Sequence, residues 1–131
     1  MLRNKQLKQI SNPIEESKRI AEAIVHGMQE KKGKNIVSLD MRNISSSVSD
    51  YFVVCHADST TQVKAIADSV EDEVFKALGE EPWHKEGFQN SEWILIDFAS
   101  VVVHIFRTEK RDHYGIEDLW GDAEVVSYQS E

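Results

Sequence analysis

The sequence predicts a mixed α/β domain, and three observations carry that prediction. Two long stretches place apolar residues at three- and four-residue steps, several short runs are rich in β-branched and aromatic residues, and the two kinds alternate along the chain. Their order is helix, strand, strand, helix, weak strand, hairpin, short helix, which implies a mixed sheet of about five strands. Two long helices suffice to cover one face of such a sheet, so the expected architecture is α/β with helices mainly on one side.

The first helix has a start signal at Asn12, whose side chain can cap, with Pro13 at the first helical position and Glu15 at the capping-box position. Ile14, Ala21, Ile24, Val25 and Met28 make its apolar stripe, and Lys31, Lys32 and Gly33 suit its C-terminus. From Asn35 the period changes. Val37, Leu39 and Met41 alternate, Tyr51 to Cys55 form a β-branched and aromatic run, and the polar stretch from Asn43 to Asp50 joins the two strands. Ser59 with Gln62 opens the second helix, whose stripe of Val63, Ile66, Ala67, Val70, Val74 and Leu78 stops at Gly79. Its charged residues, Lys64, Asp68, Glu71, Glu73 and Lys76, read as a solvated face. A short strand is expected between Pro82 and Gly87.

Trp93 to Phe98 and Val101 to Phe106 read as a hairpin around Ala99 and Ser100, although neither residue favours the left-handed turns of the tightest hairpins. Alternation puts Ile94, Ile96 and Phe98 on one face of the first strand and Val101, Val103 and Ile105 on one face of the second. Both sets are wholly apolar. The reverse faces carry Trp93, Leu95 and Asp97, and Val102, His104 and Phe106, a mixture that a single core does not require. A final helix is expected from Lys110 to Trp120, weakened by Gly115. The expected organisation is a tail over residues 1–11, one domain over 12–122, and an acidic tail over 123–131.

Composition narrows the function. The 131-residue chain has 15 Lys plus Arg against 23 Asp plus Glu, a formal net charge of −8. So acidic a surface repels phosphate backbones, which argues against DNA or RNA as the direct ligand. The longest apolar runs are broken by Asp97 and His104 and fall short of the roughly 20 residues of a membrane-spanning helix, so no membrane partner is expected. The single cysteine, Cys55, has no partner for an internal disulfide, and a reducing cytosol is the simplest setting.

Motifs for catalysis are missing. The glycines at 27, 33, 79, 87, 115 and 121 form neither a Walker loop nor a dinucleotide fingerprint. Nucleotidyl transfer needs carboxylates one residue apart on a strand to hold magnesium, yet no Asp-x-Asp occurs. The histidines at 26, 56, 84, 104 and 113 have no pair at the i, i+4 spacing of a helical zinc site. Cys55 and His56 adjoin, but strand neighbours point to opposite faces, so Cys55 reads as packing and Ser59 as a helix cap. No cofactor or metal is expected. What remains is an aromatic patch: Trp93, His104 and Phe106 on the reverse face of the hairpin, joined by Arg111, Tyr114 and Trp120, residue types that often dominate protein interfaces.

Leu39-Asp40, Ser49-Asp50-Tyr51-Phe52-Val53-Val54, and Ser59 opening a helix with Gln62-Val63 and Ile66-Ala67-Asp68 resemble the Iojap-like ribosomal silencing factors. The second half is similar over Glu86-Gly87, Trp93-Ile94-Leu95-Ile96-Asp97-Phe98, Val102-Val103-His104-Ile105-Phe106, Arg111, Tyr114, Ile116-Glu117 and Leu119-Trp120. The resemblance runs from about Ile14 to Asp122. It implies a nucleotidyltransferase-like fold without that fold's catalytic residues, and a non-enzymatic protein. Such proteins bind the large ribosomal subunit through its ribosomal protein fourteen, block joining of the small subunit, and so repress translation in the cytoplasm. Aid to large-subunit biogenesis and homodimers are also attributed to the family. The signature positions are Trp93, Asp97, His104, Arg111, Tyr114, Glu117, Leu119 and Trp120, to which the patch adds Phe106 as a partner-binding residue. Thr61 stands where relatives often have a basic residue, and Ser100 where many have Asp. The competing reading is a small nucleotidyltransferase-like enzyme with an unrecognised active site.

Overall fold

The structure, a computed structural model, describes residues 13–129. The expected Asn12 cap and the 1–11 tail lie outside those residues. Helix α1 spans Pro13–Glu30, strand β1 Lys34–Asp40, strand β2 Tyr51–Ala57 and helix α2 Thr60–Leu78. Strands β3 (His84–Glu86), β4 (Trp93–Asp97) and β5 (Val101–Arg107) follow, then helices α3 (Thr108–Tyr114) and α4 (Ile116–Leu119) and strand β6 (Glu124–Tyr128).

The strands form one sheet in the order β3-β4-β5-β2-β1-β6. Among the described residues only β2 and β5 pair in parallel, so the sheet is mixed as expected. It has six strands rather than about five. The extra one is β6, which the sequence led us to expect as part of an acidic tail. Glu124–Tyr128 pairs antiparallel with β1 along its length, from Asp40↔Glu124 to Ile36↔Tyr128. Unpaired main-chain groups on the edge of β1 find their partners there.

Both long helices lie on one face. Ile20, Ile24, Val25 and Met28 of α1 and Val63, Ile66, Val70 and Val74 of α2 pack with Val53, Cys55, Ile94, Ile96, Val103 and Ile105 in the main core. Each such side chain contributes roughly 1.5–3 kcal/mol on leaving water, which makes this the layer that holds the fold. The helices meet at Gly27, where a Cβ would stand 2.8 Å from the Val70 Cα, and the Ser69 hydroxyl donates to the Gly27 carbonyl at 2.8 Å.

Local signals act as their chemistry dictates. The Ser59 hydroxyl accepts from the Gln62 N–H at 3.1 Å and caps α2, and Gly79 ends it with φ +68°. Helix α1 closes through Lys32 at φ +61°, with the Gly33 N–H on the Met28 carbonyl. The expected helix from Lys110 to Trp120 is instead two short helices, because Gly115 adopts φ +57° and its N–H closes the first on the Arg111 carbonyl. Ala99 takes φ +74° in the β4–β5 turn despite its side chain. The Asp97 carboxylate holds it there by accepting the Ala99 N–H at 2.7 Å.

Candidate functional site

The sheet face opposite the long helices is built by strand alternation. On β4 and β5 the register sets Trp93 opposite Phe106, Leu95 opposite His104, and Asp97 opposite Val102. Parallel pairing with β2 adds Phe52, Val54 and His56 beside Val102, His104 and Phe106. Helices α3 and α4 and the turn after them lie across part of this face. Val37, Leu39, Met41, Val54, Phe106 and Ile116 make a second, smaller core beneath them, with Phe52, Trp93 and Trp120 packed against it.

Aromatic rings fill that layer. Trp93 stacks on Phe106 with centroids 5.1 Å apart and meets Tyr114 at 4.3 Å, while Trp120 stands edge-on to Phe52 at 5.9 Å. Such offset and edge-on pairs add to burial alone. The Trp93 indole N–H donates to His104 Nδ1 at 3.1 Å. Burial drives the His104 pKa down to about 4, so the ring is neutral at neutral pH. Since its Nδ1 accepts, its proton sits on Nε2, which is buried with no partner among the described residues.

Arg111 is buried, 7% exposed, and is held within the chain. Its Nε and Nη2 donate to the two Glu117 carboxylate oxygens at 2.8 and 3.0 Å, a bidentate pair that holds the Glu117 carboxyl below its ordinary range. Nη1 donates to the Asn35 carbonyl at 2.7 Å and lies 2.9 Å from His56 Nδ1.

The residues singled out from the sequence therefore occupy three depths. Phe106, His104 and Arg111 lie inside. Trp93, Asp97, Glu117 and Trp120 are half-buried. Tyr114 and Leu119 reach solvent, 47% and 72% exposed. Phe52 and His56 belong to the same layer and were missed as site residues, although the β2 alternation carries the signal: Phe52, Val54 and His56 face away from the buried Tyr51, Val53 and Cys55. Thr61 is exposed on the first turn of α2, and the Ser100 carbonyl receives the Asp50 and Tyr51 N–H groups beside the hairpin turn. Among the described residues no cluster of His, Cys, Asp and Glu could hold a metal ion, and no helix is long and apolar enough to cross a membrane.

The family described as "Ribosomal silencing factor during starvation" matches residues 14–131. The chain belongs to that family. Its sequence is 39% identical over 105 residues to the ribosomal silencing factor of Halalkalibacterium halodurans, covering 80% of this chain and 88% of that protein. It is 41% identical over 97 residues to that of Bacillus subtilis, covering 74% and 80%. A crystal structure of a Chromobacterium violaceum protein, 36% identical, superposes with a TM-score of 0.74 over 79% of this chain and 85% of that one. Chloroplast Iojap of Zea mays is also similar, 33% identical over 79 residues, 58% of this chain and 32% of that protein. Family membership implies a ribosome-associated silencing role, and the family match takes in strand β6 as well.

Proposed function

We propose that the chain docks on the large ribosomal subunit, through that subunit's ribosomal protein fourteen, and that it keeps the small subunit from joining by covering the intersubunit face. It acts as a binding module and not as an enzyme. The observation that carries this reading is Leu119, 72% exposed at the end of α4 above an aromatic layer that is otherwise half-covered. Tyr114 and Trp120 belong to the same two short helices and the turn that ends them, and Asp112, Asp118 and Asp122 are interspersed with them along the chain. An apolar centre with a charged border is the anatomy of a protein interface, and acidic charge speeds encounter with a basic ribosomal protein. The buried signature residues His104 and Arg111, together with the buried Phe106, support the layer on which the rim stands.

Co-sedimentation with purified subunits tests it. The wild-type chain pellets with large and not with small subunits, and lowers the yield of joined ribosomes. Leu119→Glu changes an exposed side chain, so stability moves by no more than about 0.5 kcal/mol. Its binding to large subunits is lost. A folded Leu119→Glu protein that pelleted like wild type would refute this placement of the contact.

A further inference from the structure

The exposed rim rides on two short helices, and a polar hub beneath them fixes where they sit. One guanidinium, that of Arg111 on α3, reaches the Glu117 carboxylate on α4, the Asn35 carbonyl on β1 and the His56 ring on β2. Tyr114 follows Arg111 within the same short helix, and Leu119 follows Glu117 in the next. Whatever loosens Arg111 therefore loosens both exposed contacts.

His56 is the one member of this hub whose charge changes near neutral pH. A guanidinium only donates, so the contact of 2.9 Å between Arg111 Nη1 and His56 Nδ1 requires an accepting, neutral imidazole with its proton on Nε2. Protonation converts the acceptor to a second donor and sets two cations against each other. The ring is half-buried beside a cavity of about 380 Å³. Groups facing it come from every neighbouring element: Lys34 before β1's bulge, Asp58 after β2, Arg111 and Asp112 on α3, Glu117 on α4, and the Tyr128 side chain of β6, which lines the same cavity. Burial comes first among the influences on the ring, and Arg111 and Lys34 act with it, so its pKa lies below the ordinary histidine value although Asp58 and Asp112 oppose them.

We propose that His56 is a positioning residue for the docking surface, accepting from Arg111 in its neutral form to hold α3 and α4 in place and releasing them when it is protonated. The proposal rests on the docking reading above. It makes engagement of the large subunit sensitive to acidification, through a group that does not touch the partner.

The test has two arms. In the first, the isolated chain is titrated by NMR with the His56 ring, the Arg111 Nε–H and the Trp120 indole N–H followed together. The expected result is that the Arg111 and Trp120 signals move with the midpoint of the His56 ring. Signals of α3 and α4 that stay fixed through that midpoint overturn the proposal, whether or not the chain binds ribosomes. In the second, binding to purified large subunits is measured at about pH 7.5 and about pH 5.5 at constant ionic strength. Wild type and His113→Gln weaken several-fold at the lower pH, by less than about tenfold because the ring's pKa lies below the ordinary histidine value. His56→Asn places a neutral amide oxygen where Nδ1 stands, and its binding changes by less than about twofold. An equal acid loss in His56→Asn and wild type overturns the proposal. Absence of wild-type binding at about pH 7.5 overturns the docking reading instead, and the NMR arm then decides this one alone.

Discussion

The indole of Trp93 and the imidazole of His104, on adjacent strands, share one hydrogen bond of 3.1 Å, from the Trp93 N–H to His104 Nδ1. This bond fixes the tautomer of a histidine that is only 3% exposed, and it orients the indole over Phe106 and towards Tyr114. Trp93 is thus both part of the half-buried face and a structural donor. A charged replacement there would disturb the layer as well as any docking, which makes Leu119 the cleaner probe.

Trp93→Phe separates the two roles of the indole. A phenyl ring keeps most of the stacking on Phe106 but removes the donor, and His104 is then buried with neither ring nitrogen bonded among the described residues. Leaving a buried polar group unsatisfied costs about 1–3 kcal/mol. Guanidinium unfolding of Trp93→Phe should show a loss of that size with an unchanged m-value. A loss below about 0.5 kcal/mol would mean that the hydrogen bond contributes little.

How much of this was legible follows from the range of each signal. The two faces of the hairpin were visible because strand side chains alternate with a period of two, which separates Ile94 and Ile96 from Trp93, Leu95 and Asp97 without any tertiary knowledge. Strand β6 was not visible. Val125 and Val126 alone among polar neighbours make a weak strand pattern, and what stabilises it is pairing with Ile36 to Asp40, far back in the chain. From the sequence Arg111 reads as a contact residue, because arginine beside aromatic residues is among the types that often dominate interfaces. Its carboxylate partner stands beyond the break at Gly115, and its carbonyl and imidazole partners lie on β1 and β2, so no local spacing announces the hub. The same distance hid His56.

The Arg111–Glu117 pair gives stability a defined acid dependence. The Glu117 carboxyl is held below its ordinary value chiefly by the hydrogen bonds from Arg111, so its contribution is fully present above the unfolded carboxylate pKa and is lost as pH falls through the lower, folded one. The side chain is about a third exposed, and after screening by solvent the pair contributes about 1 kcal/mol. The expected outcome is that wild type exceeds Glu117→Gln by that amount at neutral pH, and that the gap closes below about pH 4. A gap that persisted unchanged into acid would mean that shape, not charge, holds Glu117 in place.

Ala99 offers a stabilising change. At φ +74° its Cβ is strained by about 1–2 kcal/mol, whereas glycine adopts that conformation freely but loses more entropy on folding, about 0.5–1 kcal/mol. Ala99→Gly should therefore raise stability by about 0.5–1 kcal/mol, read as a higher melting temperature. Asp97→Ala acts in the opposite direction, because it removes the carboxylate that accepts the Ala99 N–H. If both variants melted with wild type, the turn would not be under the tension that this backbone angle implies.

Cys55 supplies a probe of the main core. It is 0% exposed, burial pushes its thiol up to about 12, and Gly33 lies over it so closely that a Cβ there would come 3.0 Å from the sulfur. A thiol both shielded and protonated cannot attack a disulfide reagent, since the thiolate is the nucleophile. Native protein should then react with Ellman's reagent only as fast as it opens, and denatured protein within the mixing time. The labelling rate should rise in Gly33→Ala, where the added methyl crowds the sulfur and weakens the packing of α1 against β2. Rapid labelling of the native wild type at neutral pH would show that the covered face of the sheet opens far more readily than its packing allows.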